Sequence, residues 1–140
     1  MHSQLKTMEK LKEIAHISGK PGLFKILKPT RNGVIVETLD AAKKRMVVSG
    51  QTRISVLNDI SLYLEDHQES TLPFDELFKK IHEKYQGNME FDPKKASDEE
   101  LFAEMGTIVP NYDQEKVYSS DIKKILSWYK IIHEFIPEAF

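Results

Sequence analysis

The fold of this chain is decided by residues 19–64, which read GKPGLFKILKPTRNGVIVETLDAAKKRMVVSGQTRISVLNDISLYL. Short apolar, β-branched runs alternate there with turn residues, a pattern typical of a small antiparallel barrel or meander. We predict strands at 23–27, 34–39, 45–49 and near 60–64, the last after a helical turn at 55–58. The pair Asn32-Gly33 predicts a tight hairpin with positive φ angles.

Residues 5–17, ahead of this stretch, carry apolar side chains at helical spacing with Lys and Glu between them. The apolar positions are Leu5, Met8, Leu11, Ile14 and Ala15. This periodicity predicts a short amphipathic helix. Gly19 and Pro21 then end it, because glycine favours helix termination and proline cannot continue a helix.

The second half of the chain reads as helical. The polar segment 65–70 marks a domain boundary, and three amphipathic segments follow it. Ser97 and Glu100 form a capping-box pattern at the start of the middle segment. We therefore predict an α+β protein with an SH3-like antiparallel β-barrel and its short leading helix in a domain spanning 8–66. A three-helix domain spans 71–136.

Charge separates the two halves. Residues 1–64 carry 11 Lys/Arg and 5 Asp/Glu, whereas residues 65–140 carry 9 Lys/Arg and 17 Asp/Glu. The candidate basic surface of the β-domain consists of Lys25, Lys28, Arg31, Lys43, Lys44, Arg45 and Arg53. If the strand ends share one side of a barrel, these residues form a positive rim that suits RNA or DNA. Solvated strands and protected sheet edges also carry such residues, so both interpretations stay open.

The last predicted helix is apolar on two sides. Beside its inner face runs a second stripe of three residues, Trp128, Ile131 and Phe135. A helix with two apolar faces must bury both, against the rest of the chain or against another molecule. This stripe is the candidate interface for a protein partner or for self-association.

Catalytic, cofactor and metal signatures are missing from the sequence. The chain has no cysteine, which excludes disulfides, thiolate nucleophiles and cysteine-based metal sites. Its five histidines form no H-x-x-x-H or H-E-x-x-H pair. His67, with Glu65, Asp66 and Glu69, is a possible cation site, but a solvated linker explains these residues better. We predict no catalytic residues, no metal and no cofactor.

The composition also predicts where in the cell the protein works. No segment approaches the roughly 18 apolar residues of a membrane span. The N-terminus carries charges throughout and has no apolar core typical of a secretory signal. With the lack of cysteine, this composition suits the cytoplasm and predicts no membrane contact.

Several motifs together identify a family. They are LKEIAHISGKPGLFK at 11–25, RNGVIVETL at 31–39, ISVLNDI at 54–60, VPNYD at 109–113, VYSSDIKK at 117–124 and the pair Trp128-Tyr129. Over residues 9–130 the chain resembles an uncharacterised bacterial family, mainly from Bacteroidetes, known only as a domain of unknown function. The resemblance implies a β-rich N-terminal domain and a helical C-terminal domain in a cytoplasmic protein, and it implies no activity.

The sequence thus favours a non-enzymatic binding module. A protein is the favoured partner, because the last helix offers a second apolar stripe and the net charge of the chain is −2. Binding of RNA or DNA through the basic rim of the barrel is the alternative.

Overall fold

The computed structural model describes residues 11–65 and 70–140. The chain divides into two compact units. Of the described residues, the first contains 11–60 and 131–140, and the second contains 61–65 and 70–130.

The first unit is built on a five-stranded antiparallel sheet. Its strands are β1 (Ile14–Ile17), β2 (Phe24–Thr30), β3 (Gly33–Thr38), β4 (Arg45–Ser49) and β5 (Ile54–Val56). Their order across the sheet is β4-β3-β2-β1-β5. The predicted strands at 23–27, 34–39 and 45–49 are therefore confirmed as β2, β3 and β4.

One face of the sheet carries a hydrophobic cluster. Four buried side chains make its centre, and four half-buried ones pack around them. The central four are Ile17, Phe24, Val36 and Val48, and the outer four are Ile26, Val34, Met46 and Ile54. Because side chains alternate across a strand, the intervening residues of β3 and β4 lie on the opposite face. We call that opposite face of β2, β3 and β4 the outer face.

The predicted SH3-like barrel is wrong, because the five-stranded sheet is open and does not close into a barrel. β4 and β5 lie at the two edges of an open sheet and do not pair with each other. β5 is only three residues long, and a 3₁₀ turn at Leu57–Asp59 follows it directly. Strand length and turn spacing are the same in a meander and in a barrel, so the sequence pattern could not decide whether the sheet closes.

The predicted leading helix, residues 5–17, is wrong over residues 12–17. Leu11 is helical, residues 12 and 13 form a turn and Ile14–Ile17 is strand β1, while residues 5–10 lie outside the described part of the chain. β1 pairs on both sides, Ala15 lying opposite Phe24 of β2 and Val56 of β5. Pairing with two neighbours therefore overrides the helical spacing of the apolar residues.

The hairpin between β2 and β3 is confirmed, but its geometry differs from the prediction. Thr30 pairs with Gly33, so Arg31 and Asn32 form the loop. Neither Asn32 nor Gly33 has a positive φ angle. Gly33 is required for another reason: a Cβ atom there would lie 1.9 Å from the carbonyl oxygen of Val48 on the neighbouring strand.

The second unit combines a two-stranded ribbon with helices. The ribbon pairs β6 (Ser61–Tyr63) with β7 (Thr71–Pro73). The helices are α1 (Phe74–Tyr85), α2 (Asp98–Ile108) and α3 (Ser119–Phe135), of which residues 131–135 belong to the first unit, and they confirm the three predicted helices. The predicted strand near 60–64 is confirmed as β6, although it lies in this ribbon rather than in the five-stranded sheet.

Local sequence explains where these helices begin. The Ser97 hydroxyl accepts a hydrogen bond from the Glu100 amide at 3.1 Å, and the Glu100 carboxylate accepts one from the Ser97 amide at 2.9 Å. The predicted capping box is thus confirmed. In α1 the buried face includes Phe74 and Phe78, whose rings meet edge to face with centroids 5.6 Å apart.

Among residues 11–65 and 70–140, no helix has the length and apolar character needed to cross a membrane.

Candidate functional site

The outer face of the sheet gathers charged and apolar side chains in two cross-strand rows. In the first row Lys25 of β2, Glu37 of β3 and Arg45 of β4 lie side by side. In the second, Lys28 lies beside Ile35. Val47 completes that row on β4, with 61% of its surface exposed.

A β-bulge brings the two lysines to this one face. The register of β2 against β3 shifts between Ile26 and Lys28, so one extra residue is inserted there. Without the bulge, residues 25 and 28 would point to opposite faces, because strand side chains alternate. The extra residue restores Lys28 to the side of Lys25.

Acidic side chains neutralise part of this surface. Arg45 Nε lies 3.2 Å from a Glu37 carboxylate oxygen, and Lys25 Nζ lies 3.9 Å from Glu13. In the described part of the chain, no ion pair involves Lys28, Lys43 or Lys44. The first row thus alternates in sign from Lys25 through Glu37 to Arg45, with Arg45 outermost.

The loop between β3 and β4 presents two further lysines. Asp40 organises this loop: one of its carboxylate oxygens accepts hydrogen bonds from the Thr38 hydroxyl and from the amides of Lys43 and Ala42. The bond from Thr38, together with these amide bonds, holds the pKa of Asp40 below its usual value. Lys43 adopts a left-handed conformation with φ of 49°. The exposed side chains of Lys43 and Lys44 thus extend from an ordered turn at the start of β4.

The structure separates the seven predicted basic residues into groups. Lys25, Lys28 and Arg45 lie on the outer face, and Lys43 and Lys44 lie just before β4. Arg31 is in the loop between β2 and β3, at the other end of β3 from Lys43 and Lys44, and Arg53 directly precedes β5 at the opposite edge of the sheet. Six-residue β3, about 3.3 Å per residue, separates the two ends. The structure does not gather all seven into one rim.

Strand β4 also offers backbone groups, because it has a strand partner on one side only. The Thr38 amide donates to the Lys44 carbonyl at 2.9 Å, and the Gly50 amide donates to the Asn32 carbonyl at 3.3 Å. In an antiparallel ladder hydrogen-bonded pairs alternate with non-bonded ones. The even-numbered residues of β4 therefore bond to β3. The N–H and C=O groups of Arg45 and Val47 face the open edge.

The predicted interface stripe on α3 divides by exposure. Trp128 is only 8% exposed, and its ring lies 6.4 Å from that of Phe74 in α1. Ile131 and Phe135 are half-buried. Packing against α1 thus accounts for Trp128 within its own unit, and the assignment of this stripe as an interface stays a prediction.

Sequence reasoning missed a polar network that joins the helices of the second unit. The Tyr129 hydroxyl of α3 lies 2.8 Å from His82 Nδ1 of α1 and accepts a hydrogen bond from the Gly87 amide at 3.0 Å. Burial raises the pKa of Tyr129, while the bond from Gly87 lowers it in part. The only sequence signal was a tyrosine on an apolar helix face, and its partner lies 47 residues away.

A second part of this network lies around Glu104 of α2. Its carboxylate accepts hydrogen bonds from Lys84 Nζ at 2.8 Å and from the Tyr85 hydroxyl. Burial, with the bond to Glu104, raises the pKa of Tyr85. Lys84 also donates to the Thr107 hydroxyl. The bonds of Lys84 and Tyr85 to Glu104 connect α1 to α2, and the contact of His82 with Tyr129 connects α1 to α3. Among the described residues, every buried side-chain polar atom has a hydrogen-bond partner.

The described residues contain no cluster of three or more His, Cys, Asp or Glu side chains that could hold a metal ion. The possible cation site at His67 includes Asp66 and Glu69, and these three residues lie outside the described part of the chain. His133 is half-buried, and its ring stacks on Phe140 with centroids 6.4 Å apart.

Two family models match the chain. Domain of unknown function (DUF5606) matches residues 11–57, and Domain of unknown function (DUF6852) matches residues 60–132. The chain is also similar to a protein from Bacteroides vulgatus whose solution NMR structure was determined by the Northeast Structural Genomics Consortium. The two chains are 40% identical, the similarity covers 87% of this chain and 84% of that one, and the TM-score is 0.71. No curated protein matches the chain.

Proposed function

We propose that this chain, which belongs to the family of Domain of unknown function (DUF6852) and also carries Domain of unknown function (DUF5606), is a non-enzymatic binding module for a protein partner. The family has no known function, so the proposal is argued from the surface of the chain. The observation that carries this proposal is the exposed Val47 on the outer face of the sheet, between Ile35 and the open edge. The unpaired edge of a strand offers N–H and C=O groups with which another chain can pair, and the exposed Val47 adds an apolar contact beside that edge.

The distribution of charge favours a protein over a nucleic acid. Phosphate backbones are bound by several cations that are free to replace counterions. On the outer face Lys25 and Arg45 already have acidic neighbours, while Arg31 lies at the other end of β3 and Arg53 lies before β5 at the opposite edge of the sheet. Contact with RNA or DNA stays the alternative, and the test below distinguishes it.

A non-enzymatic function is supported by the structural hydrogen bonds that the ionisable side chains of the second unit make. In the second unit Glu104, Tyr85 and Tyr129 are occupied in bonds between helices. Raised pKa values keep both tyrosines neutral, which suits a structural bond and not a tyrosinate nucleophile. We further propose that the protein works in the cytoplasm, which agrees with its lack of cysteine.

Site-specific photo-crosslinking of the chain in cells of Bacteroides vulgatus, the source of the similar protein, tests this proposal. A photoreactive phenylalanine analogue at Val47 will give a discrete protein adduct, because this side chain is exposed on the proposed binding face. The double substitution Lys43→Glu and Lys44→Glu will reduce the adduct about tenfold, since about 1.4 kcal/mol of lost electrostatic attraction corresponds to that factor.

The matched control places the same analogue at Gln114, an exposed position in the second unit. This variant should give no such adduct. Crosslinks from residue 47 to RNA or DNA would support the alternative function. No crosslinking above the level at residue 114 would contradict the proposal of a binding module.

A further inference from the structure

The open edge of the sheet carries a pattern that specifies its occupant. The first cross-strand row reads Lys25, Glu37, Arg45, alternating in sign toward the edge. The second row ends in two β-branched residues, Ile35 and Val47. Directly opposite residues on neighbouring strands interact most strongly, with opposite charges and β-branched pairs favourable.

We propose that β4 binds an extended acidic segment of another protein, which adds a sixth, antiparallel strand to the sheet. This inference rests on the proposed function and states the mode of binding. An acidic side chain of the partner lies opposite Arg45 and continues the alternation of charge. A β-branched side chain of the partner lies opposite Val47 and covers its exposed surface.

The backbone geometry supports this mode of binding. The N–H and C=O groups of Arg45 and Val47 face the open edge, because β4 bonds to β3 through its even-numbered residues. Two such residues offer four hydrogen bonds to a partner strand, and main-chain bonds provide the affinity in complexes of this kind. Antiparallel addition agrees with every other pairing in this sheet.

The charge at this edge distinguishes an acidic partner from other occupants. The Arg45 ion pair with Glu37 uses Nε, so the terminal nitrogens of the guanidinium can donate to a second carboxylate. Lys43 and Lys44, in the loop directly before β4, have no ion pair in the described part of the chain. A basic or neutral segment would leave these cations uncompensated next to the edge.

The antiparallel geometry also sets the order of the partner residues. Arg45 and Val47 lie two positions apart on one face, so their two partner residues are also two positions apart. Since an antiparallel strand runs in the reverse direction, the β-branched residue comes first and the acidic one follows after one intervening position. The partner motif is thus Val/Ile-x-Glu/Asp.

Nuclear magnetic resonance titration with synthetic peptides tests this inference. The probe is the capped peptide Thr-Thr-Val-Thr-Glu-Thr-Thr, and the control peptide has Lys in place of Glu. We expect the probe to shift and protect the amides of Arg45 and Val47, and to bind about tenfold more tightly than the control. Arg45→Gln should remove this preference.

Two changes test the role of the main chain. Val47→Pro removes an N–H that faces the edge and not β3, so the sheet should tolerate it while peptide binding is lost. The matched variant Val47→Thr keeps the N–H and should bind within about twofold of the original chain. N-methylation of the peptide Val should abolish binding without any change to the protein.

Several results would overturn the inference. They are a lack of binding at millimolar probe, equal binding of both peptides, or full binding by Val47→Pro. A dimer of the chain that Val47→Pro dissociates would make a second copy the occupant instead. If crosslinking at Val47 captures a protein while Val47→Pro binds the probe normally, the binding function stands and strand addition is wrong.

Discussion

Replacing Gly33 with alanine will destabilise the five-stranded sheet by about 3 kcal/mol, at the upper end of the usual cost of overpacking. The physical reason is a close approach of two strands. A Cβ at residue 33 would lie 1.9 Å from the Val48 carbonyl oxygen and 2.9 Å from its carbon. Backbone atoms cannot rotate away as a side chain can, so β3 and β4 must separate. Urea unfolding followed by circular dichroism measures the loss.

The matched control is alanine at Gly50, which faces the same contact from the neighbouring strand. A Cβ there meets nothing closer than the Gly33 Cα at 4.0 Å, an ordinary contact. We expect the unfolding free energy of Gly50→Ala to stay within about 1 kcal/mol of the original chain. Equal losses in the two variants would contradict the proposed cause, because only the Cβ at residue 33 meets neighbouring backbone atoms at close range.

Tyr129→Phe will destabilise the second unit by about 1–3 kcal/mol, the usual cost of leaving a buried polar group without its partner. The substitution preserves the ring and removes only the hydroxyl. His82 Nδ1 and the Gly87 amide would then both lose a hydrogen bond, of 2.8 Å and 3.0 Å. Urea unfolding, monitored by helical circular dichroism, measures the change.

Tyr118→Phe serves as the control, because Tyr118 is 66% exposed. Its loss of a hydroxyl should change the unfolding free energy by about 0.5 kcal/mol or less. A Tyr129→Phe variant as stable as this control would show that the network contributes nothing to the second unit.

The pH dependence of this unit follows from the same tyrosine. Burial raises the pKa of Tyr129 above its ordinary value of 10.0. The folded state therefore favours the neutral phenol, and the unfolded state loses the proton first. The contribution of Tyr129 to stability is complete below pH 10 and decreases as the pH rises toward the folded-state pKa.

The sequence predicted the elements that depend on local signals. The capping box of Ser97 and Glu100 defined the start of α2, and β-branched runs between turn residues defined β3 and β4. The resemblance to an uncharacterised bacterial family known only as a domain of unknown function is also confirmed. Motif strings spread over the chain carried that identification, and it needed no knowledge of the fold.

The elements that depend on long-range pairing were not predictable in this way. β1 has apolar residues at helical spacing and becomes a strand because it pairs with β2 and β5. The open sheet and the three-residue β7 likewise depend on neighbours distant in sequence.

The candidate site was predicted in part. The sequence indicates a basic group at Lys43, Lys44 and Arg45, and the structure adds that this group lies at the start of an edge strand. Val47 was not singled out, because its exposure depends on β4 being an edge strand. The neutralisation of Arg45 by Glu37 also required the register, since these residues are eight positions apart in the sequence.

The central claim, that β4 presents an open edge to a partner, is tested most directly by amide hydrogen exchange in the chain alone. The amides of Met46 and Val48 bond to β3, whereas those of Arg45 and Val47 face the edge. We therefore expect slow exchange at residues 46 and 48 and fast exchange at residues 45 and 47. Slow exchange at all four would contradict the account, because it would mean that the edge is already occupied.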